Sequence, residues 1–493
     1  MKASSLNVIH PIHQGHIMFS NEEFRNKKVL VLGLGREGIS TYSFLRSRFP
    51  YKKLILADQK GLDSLDQFFV QRIQKDGNVE IVTGQGYLRN LREVDVIFKT
   101  PGIPHNLPEY KAIANRGYGI YSNTGLFFDL FKGTIIGVTG TKGKSTTTRM
   151  IFDVLSAGGV KVKLTGNIGI PPLSVINETS EDTIVVTELS SHQLMNIHRS
   201  PHISVLQGIF PEHLDYYADF NEYVDAKSNI TRFQLEKDYL LFCKDNRVTT
   251  NIANKSVATK LSFGLDNTQG LNCYFDSGWL KCRLDKVEEK IINSEELKLI
   301  GRFNLVNIMP AILIGRLLGI PSKRIQDAVR NFIPLEHRLE YVAESHAGIK
   351  FYNDSLATTP ESTINAIEGF PEKPIILIAG GFERKQDFRL LAMKIIERQL
   401  RGLILFPTTG IRILEEVMKI TNQNLPITLN VSTMQEAVQH ALRIAQPGDV
   451  VLLSPASASY NQFLDYRDRG NQFKHLVMKE IQEQDDKSQR HFV

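Results

Sequence analysis

Cysteine is scarce: Cys243, Cys273 and Cys282 are the only three in a chain of 493 residues. None stands at the spacing of a metal knuckle or a redox pair, and no histidine joins them in a recognisable motif. That excludes a disulfide framework, a cysteine-built zinc site and a thiol nucleophile as organising features, and leaves the three thiols a structural role. No apolar run reaches about 18 residues, which excludes a spanning helix. The stretch Met1 to Phe24 holds histidines and polar residues and lacks the apolar core of a signal peptide; residues 1–26 read as a loose N-terminal extension. Charge of one sign is nearly absent as a surplus, 59 Lys and Arg against 53 Asp and Glu. The cations form no cluster, so nucleic acid is not expected as a partner. There is no internal repeat and no low-complexity tract. A reduced, cytoplasmic, globular protein of about three domains is expected, without a membrane partner.

What is there centres on Gly137-Val-Thr-Gly-Thr-Lys-Gly-Lys-Ser-Thr-Thr-Thr148. The apolar run Thr134-Ile-Ile-Gly-Val138 reads as a strand. Gly140, Thr141, Lys142, Gly143, Lys144, Ser145 and Thr146 form a glycine loop, and a helical pattern follows. Backbone N–H groups of such a loop face an anion, and the helix dipole adds positive potential there. In such a loop Lys144 would reach the outer phosphates of a nucleotide and Ser145 would set its hydroxyl on Mg²⁺; the alternative is a chance Gly-Lys-Ser turn. The loop is short: the common form has a glycine five residues before Gly143, where Val138 stands here.

On both sides of this segment apolar strands alternate with helical patterns, which predicts an α/β chain with parallel sheets. A first domain, 27–133, opens with Lys28-Val-Leu-Val-Leu32, continues with Leu54-Ile-Leu-Ala57 and Val94-Asp-Val-Ile-Phe98, and is expected to be Rossmann-like. A central domain, 134–334, carries the glycine loop on a P-loop ATPase-type sheet with strands Thr183-Ile-Val-Val-Thr187 and Ile203-Ser-Val-Leu-Gln207. Its polar stretch from Thr249 to Glu296 is expected to be irregular and to cap that sheet. A C-terminal domain, 335–493, contains Ile375-Ile-Leu-Ile-Ala379, Gly402-Leu-Ile-Leu-Phe406 and Val450-Val-Leu-Leu453 and is also expected to be Rossmann-like, ending in a polar, frayed tail.

Four further groups carry chemistry. Gly33, Gly35 and Gly38 follow a strand and precede a helix, with Asp58 twenty residues on. That pattern fits a diphosphate on a helix N-terminus and a carboxylate on a ribose or base, for NAD or a nucleotide sugar, or a purely structural turn. Glu188, in Glu188-Leu-Ser-Ser191 with Gln193, stands at a strand's carboxyl end, where it suits Mg²⁺ or caps a helix. His213 follows the next strand. Lys227, fourteen residues later, reads by default as a solvated helix cation; beside magnesium it would serve only as a carbamate, an anionic oxygen donor.

The order Gly140-Thr-Lys-Gly-Lys-Ser-Thr146, Gly166-Asn-Ile-Gly169, Glu188-Leu-Ser-Ser191, Glu212-His213, Ala226-Lys227, Asn304 to Asn307, His337-Arg338, Asn353-Asp354-Ser355, Gly380-Gly381 and Leu453-Ser-Pro455 resembles the Mur ligase family from about residue 27 to 480. The tail Ser454-Pro-Ala-Ser-Ala-Ser459 with Asp465-Tyr466 and Arg469-Gly470-Asn471 looks like its glutamate-adding member. The resemblance implies an acid–amino-acid ligase of peptidoglycan precursor synthesis, monomeric, that spends ATP with two Mg²⁺ sites to join glutamate to UDP-N-acetylmuramoyl-L-alanine. It implies the UDP substrate at Gly33, Gly35, Gly38, Asp58, Asn123, Thr124, Asn167 and Ser190. It implies ATP at residues 140–146 with Asn307, Arg338 and Asp354, and metal at Ser145, Glu188, His213 and carbamylated Lys227. Lys144, Glu188, His213 and Lys227 become the catalytic set, and Thr358, Arg384, Lys385, Ser459 and Tyr466 receive glutamate. The sequence departs from the family at three places: Gly208 replaces an asparagine five residues before His213, Leu356 a phosphate-contacting lysine, and Arg384 a carboxylate-binding lysine. Thr358-Thr359-Pro360 with Arg384 is similar to a branch that adds L- rather than D-glutamate. A folylpolyglutamate-type ligase shares the central domain but lacks one like 27–100. An NAD-linked oxidoreductase would leave Lys144, Glu188 and His213 unused, and a binding module or degenerate enzyme would account for Leu356 and Gly208.

Overall fold

The structure is a computed structural model that describes residues 24, 26–88, 94–104, 107–109, 119–212, 216–265, 269–421, 423, 425–460 and 462–490, without side chains for 484–490. Three sheets account for its strands. The first is built from β1 (Val29–Leu32), β2 (Leu54–Asp58), β3 (Val79–Thr83), β4 (Val96–Lys99) and β5 (Gly119–Tyr121), all parallel in the order β3-β2-β1-β4-β5. That is the strand order of a doubly wound nucleotide-binding sheet. β1 and β4 are buried along their whole length, so their apolar runs show no alternation, as a parallel strand covered on both faces requires.

The second sheet has nine strands, in the order β14-β13-β12-β11-β10-β9-β6-β8-β7. They are β6 (Thr134–Thr139), β7 (Val162–Gly166), β8 (Ile184–Glu188), β9 (Ile203–Leu206), β10 (Tyr239–Cys243), β11 (Thr259–Gly264), β12 (Cys273–Asp276), β13 (Trp279–Leu284) and β14 (Val287–Asn293). Strands β6 to β12 run parallel, and the last three form antiparallel hairpins. The stretch expected to be an irregular cap therefore lengthens the sheet. Its two turns, Ser277-Gly278 and Asp285-Lys286, are two-residue loops with positive φ at both positions, the geometry that matches strand twist. The three cysteines are buried and free in this sheet.

The third sheet comprises β15 (Glu340–Glu344), β16 (Lys350–Asn353), β17 (Ile375–Gly380), β18 (Gly402–Phe406), β19 (Ile427–Asn430) and β20 (Val450–Leu453), in the order β15-β16-β20-β17-β18-β19. Only the edge strand β15 is antiparallel. The chain divides into two compact units. Residues 1–293 with 306–329 carry the first two sheets, which share one apolar core running from Val29 and Phe98 through Phe127 and Leu173 to Val185 and Leu240. Residues 294–305 with 330–493 carry the third. No described helix is long and apolar enough to cross a membrane.

Candidate active site at the glycine loop

Strand β6 lies between β8 and β9, so three strand ends converge: Val138 pairs with Glu188 and Thr139 with Leu206. Ligands of open α/β sheets bind at this carboxyl edge. The chain leaves β6 through Gly140, at φ +151°, where a Cβ would lie 2.6 Å from the Gln207 Cβ. It enters the helix Lys144–Ala157 through Gly143, at φ +83°, where a Cβ would lie 2.2 Å from the Asn307 Oδ1. Neither position admits a side chain. Between them the Thr141 N–H donates to the Gly208 carbonyl at 2.8 Å, and the Thr141 hydroxyl donates to the Phe210 carbonyl at 3.0 Å. Position 208, where the asparagine side chain is missing, holds the loop through its backbone carbonyl alone. Lys144 Nζ donates to the carbonyls of Gly140 (3.0 Å) and Thr141 (2.8 Å), folding the cation over the loop. Asn307 sits against Gly143, and its backbone carbonyl accepts from the Thr147 hydroxyl.

Two buried groups flank the loop. Glu188 ends β8 with its side chain 1% exposed; Oε1 accepts from the Asn167 amide at 3.2 Å, while Oε2 has no hydrogen-bond partner. A buried carboxylate oxygen left unpaired is costly, and a hard divalent cation satisfies it. Glu188 caps no helix; that duty falls to Ser190, which forms a capping box with Gln193. Lys227, on the helix Phe220–Arg232, is buried and not a solvated cation: its Nζ donates to the Gly140 carbonyl at 2.8 Å and lies 4.8 Å from the Tyr223 ring centre. Burial, with the Lys144 charge nearby, holds this amine well below the ordinary lysine range. A neutral amine is the form that takes up CO₂, and a bare lysine cation is no metal ligand. Among the described residues no three His, Cys, Asp or Glu side chains gather into a cage. A metal here would draw further ligands from substrate phosphates and water, the usual habit of Mg²⁺. His213 lies outside the described residues.

The first sheet brings its own loop to the same unit. Gly33, at φ +93°, leaves no room for a Cβ against Thr100, and a Cβ on Gly38 would meet the Gly33 carbonyl at 1.9 Å. Gly35 opens the helix Arg36–Arg48. Asp58 accepts from the N–H groups of Leu34 and Lys60, so its carboxylate braces the turn. Asn123 spends its amide on the Glu37 carbonyl and Thr41 hydroxyl and its carbonyl on the Leu173 N–H. The Thr124 hydroxyl is buried without a partner. Two residues absent from the sequence-derived set stand out here. Glu37 accepts from the Gln193 amide at 2.6 Å and is pushed up to about 7 by burial, against the pull of Gln193, Arg36 and Lys99. Lys99, buried at the end of β4, is pushed down to about 8 by burial. The Ser190-x-x-Gln193 spacing was a readable capping signal; nothing local marks Glu37 or Lys99.

The remaining predicted residues belong to the C-terminal unit. Asp354 accepts from the Leu339 N–H and the Ser454 hydroxyl. Arg338 Nε is buried without a partner. Thr358 accepts from Gln386 through its carbonyl, Lys385 adopts φ +58°, and Arg384 lies 5.3 Å from the Tyr460 ring centre. Ser459 is buried, and the Tyr466 carbonyl accepts from Ser355. Leu356 is half-buried, its N–H donating to the His337 carbonyl. Burial pushes the Asp354 carboxyl up to about 7, against the pull of Ser454, Leu339 and the two arginines 338 and 469. With the folded value above the unfolded one, this group favours folding at low pH, and that contribution fades as pH rises through about 7. Asp354→Asn is therefore expected to flatten the loss of C-terminal-unit stability between about pH 4 and about pH 7, read from urea melts. An unchanged slope would contradict the assignment.

Family matches run along the whole arrangement. The Mur ligase MurD-like N-terminal domain matches residues 27–122, the Mur ligase middle domain 138–315, and the Mur ligase glutamate ligase domain 337–457. The chain is 35% identical over 464 residues to a UDP-N-acetylmuramoylalanine--D-glutamate ligase of Acetivibrio thermocellus, covering 92% of this chain and 97% of that one. It is 34% identical over 455 residues to the enzyme of that name from Clostridium botulinum, covering 92% and 96%. Among solved structures it resembles MurF from Acinetobacter baumannii (TM-score 0.60, 15% identity, 91% and 93% covered). It also resembles MurF from Thermotoga maritima in complex with ADP (TM-score 0.57, 16% identity, 93% and 96% covered). Those structures share its fold, and the sequence relatives span nearly all of it. With the short glycine loop, the Glu188 strand end and the buried Lys227 in one unit, the chain belongs to the Mur ligase family.

Proposed function

We propose that this chain is an ATP-dependent ligase that joins glutamate, as the D-enantiomer, to UDP-N-acetylmuramoyl-L-alanine in peptidoglycan precursor synthesis. The observation that carries the reading is the glycine loop itself. It leaves the carboxyl end of β6 with Lys144 folded over it, beside the β8 end where Glu188 keeps Oε2 unpaired. The relatives named above act, by name, on UDP-N-acetylmuramoylalanine and D-glutamate. In this reading residues 27–133 bind the UDP part, 134–334 bind ATP, and 335–493 receive glutamate.

A carboxylate oxygen of the muramyl substrate attacks the γ-phosphorus of ATP, and ADP leaves. Both reactants are anions, so Lys144 and the loop amides neutralise the transferring group. The resulting acyl phosphate is attacked at its carbonyl carbon by the neutral amine of glutamate. Phosphate then leaves, the amine gives up a proton, and the amide remains. Ser145, Glu188, His213 and carbamylated Lys227 would hold Mg²⁺, with two sites expected, and the metal would supply further charge neutralisation.

The experiment is an amide-formation assay with ATP, UDP-N-acetylmuramoyl-L-alanine and each glutamate enantiomer. D-glutamate is expected to give product. Product from L-glutamate alone would move the reading to the branch that Arg384 and Thr358 resemble. Folded protein that makes amide with neither enantiomer would refute the ligase reading.

A further inference from the structure

The seam between the first two sheets, inside one compact unit, carries several polar ties. Arg36 donates to the Gly169 carbonyl, Ser174 to Ser40, and the Leu173 N–H to Asn123 Oδ1. One tie joins two segments that each lead directly to a proposed ligand subsite. Glu37 sits in the first turn of the helix that follows Gly33 and Gly35, where a diphosphate would rest. Its Oε1 accepts from Gln193 Nε2 at 2.6 Å. The Gln193 Oε1 in turn accepts from the Ser190 N–H at 2.9 Å, and the Ser190 hydroxyl accepts from the Gln193 N–H at 3.2 Å. Gln193 is 3% exposed, so both ends of its amide are fixed away from water. Ser190 is two residues past Glu188, the carboxylate with the unpaired oxygen.

We propose that Glu37 is a positioning residue: through Gln193 it sets the spacing between the diphosphate loop of the first sheet and the Glu188 strand end of the second. The inference rests on the ligase reading above. There the muramyl substrate spans both subsites, its diphosphate on one and its carboxylate at the phosphate being transferred on the other. A rigid substrate held at one end delivers its other end only where the protein's own spacing allows. Misplacement by about 1 Å far from the chemistry can cost about 10²-fold in rate. The tie needs an acceptor at the reach of a glutamate side chain, and it does not need the charge.

The test uses the full chain with saturating UDP-N-acetylmuramoyl-L-alanine, ATP and glutamate, measuring phosphate release and amide formation together. Glu37→Asp keeps the charge and shortens the reach; Glu37→Gln keeps the reach and an acceptor and removes the charge. Glu37→Asp and Glu37→Ala are expected to lower kcat for amide formation by ~10-fold to ~100-fold. The KM for ATP should stay within about 2-fold of the parent, since the glycine loop is untouched, and phosphate released per amide should rise as misplaced acyl phosphate meets water. Glu37→Gln should stay within about 3-fold of the parent, and Gln193→Ala should add little on top of Glu37→Ala, the mark of a shared tie. Parent-like kcat and coupling in Glu37→Asp would overturn the proposal, as would Glu37→Gln falling as far as Glu37→Asp. If Glu37→Ala does not fold, the Asp and Gln variants decide alone. An unsubstituted chain that forms no amide would instead sink the ligase reading.

Discussion

Lys144→Ala is expected to lower turnover by ~10³-fold or more while leaving the protein folded. The magnitude is that of removing one preorganised charge from a phosphoryl-transfer or oxyanion site. The fold should survive because the loop does not depend on this side chain. Gly140 and Gly143 set its backbone, and the Thr141 N–H and hydroxyl anchor it to the Gly208 and Phe210 carbonyls. What is lost structurally includes two hydrogen bonds from a half-buried amine to loop carbonyls, on the order of 1 kcal/mol each. Steady-state phosphate release and a thermal melt check both halves. Near-normal turnover would remove the phosphate from this loop.

Glu188→Gln separates charge from shape at the second group. The amide can still accept from Asn167, but it puts an N–H₂ where the unpaired Oε2 stands. If that oxygen binds a cation in the working enzyme, kcat should fall by ~10²-fold to ~10³-fold and the Mg²⁺ concentration for half-maximal activity should rise. Stability of the metal-free protein should hold or increase, because an unpaired buried carboxylate gives way to a neutral group. Activity and stability moving in opposite directions would be hard to obtain from a residue that only shapes the core. A variant that loses stability and keeps parent-like kcat would contradict the assignment.

How much of this was visible in the chain follows from how local each feature is. The strand, glycine loop and helix of residues 134–157 were legible because spacing along thirteen or so contiguous positions specifies them. The parallel sheets were legible as unbroken apolar runs such as Val29–Leu32 and Ile375–Gly380. The hairpins β12 to β14 were not: their strands are half-exposed, and the Asp285-Lys286 turn lacks the glycine that usually announces such a loop. Lys227 gave no warning of its burial, since only the packing of its helix against β6 removes it from water. Glu37 was invisible for the same reason, because its partner Gln193 is 156 residues away. Asp58, expected at a ribose or base, spends its carboxylate on the Leu34 and Lys60 N–H groups and so braces the loop, a tie that no local spacing announces.

The central claim, that a muramyl-peptide carboxylate takes the terminal phosphate from ATP held in the residue 140–146 loop, is tested most directly with substrate carrying ¹⁸O in its terminal carboxylate. Transfer through an acyl phosphate predicts one ¹⁸O atom in each phosphate released, with Lys144→Ala suppressing it in step with amide formation. Amide formed while the released phosphate carries no ¹⁸O would contradict the account.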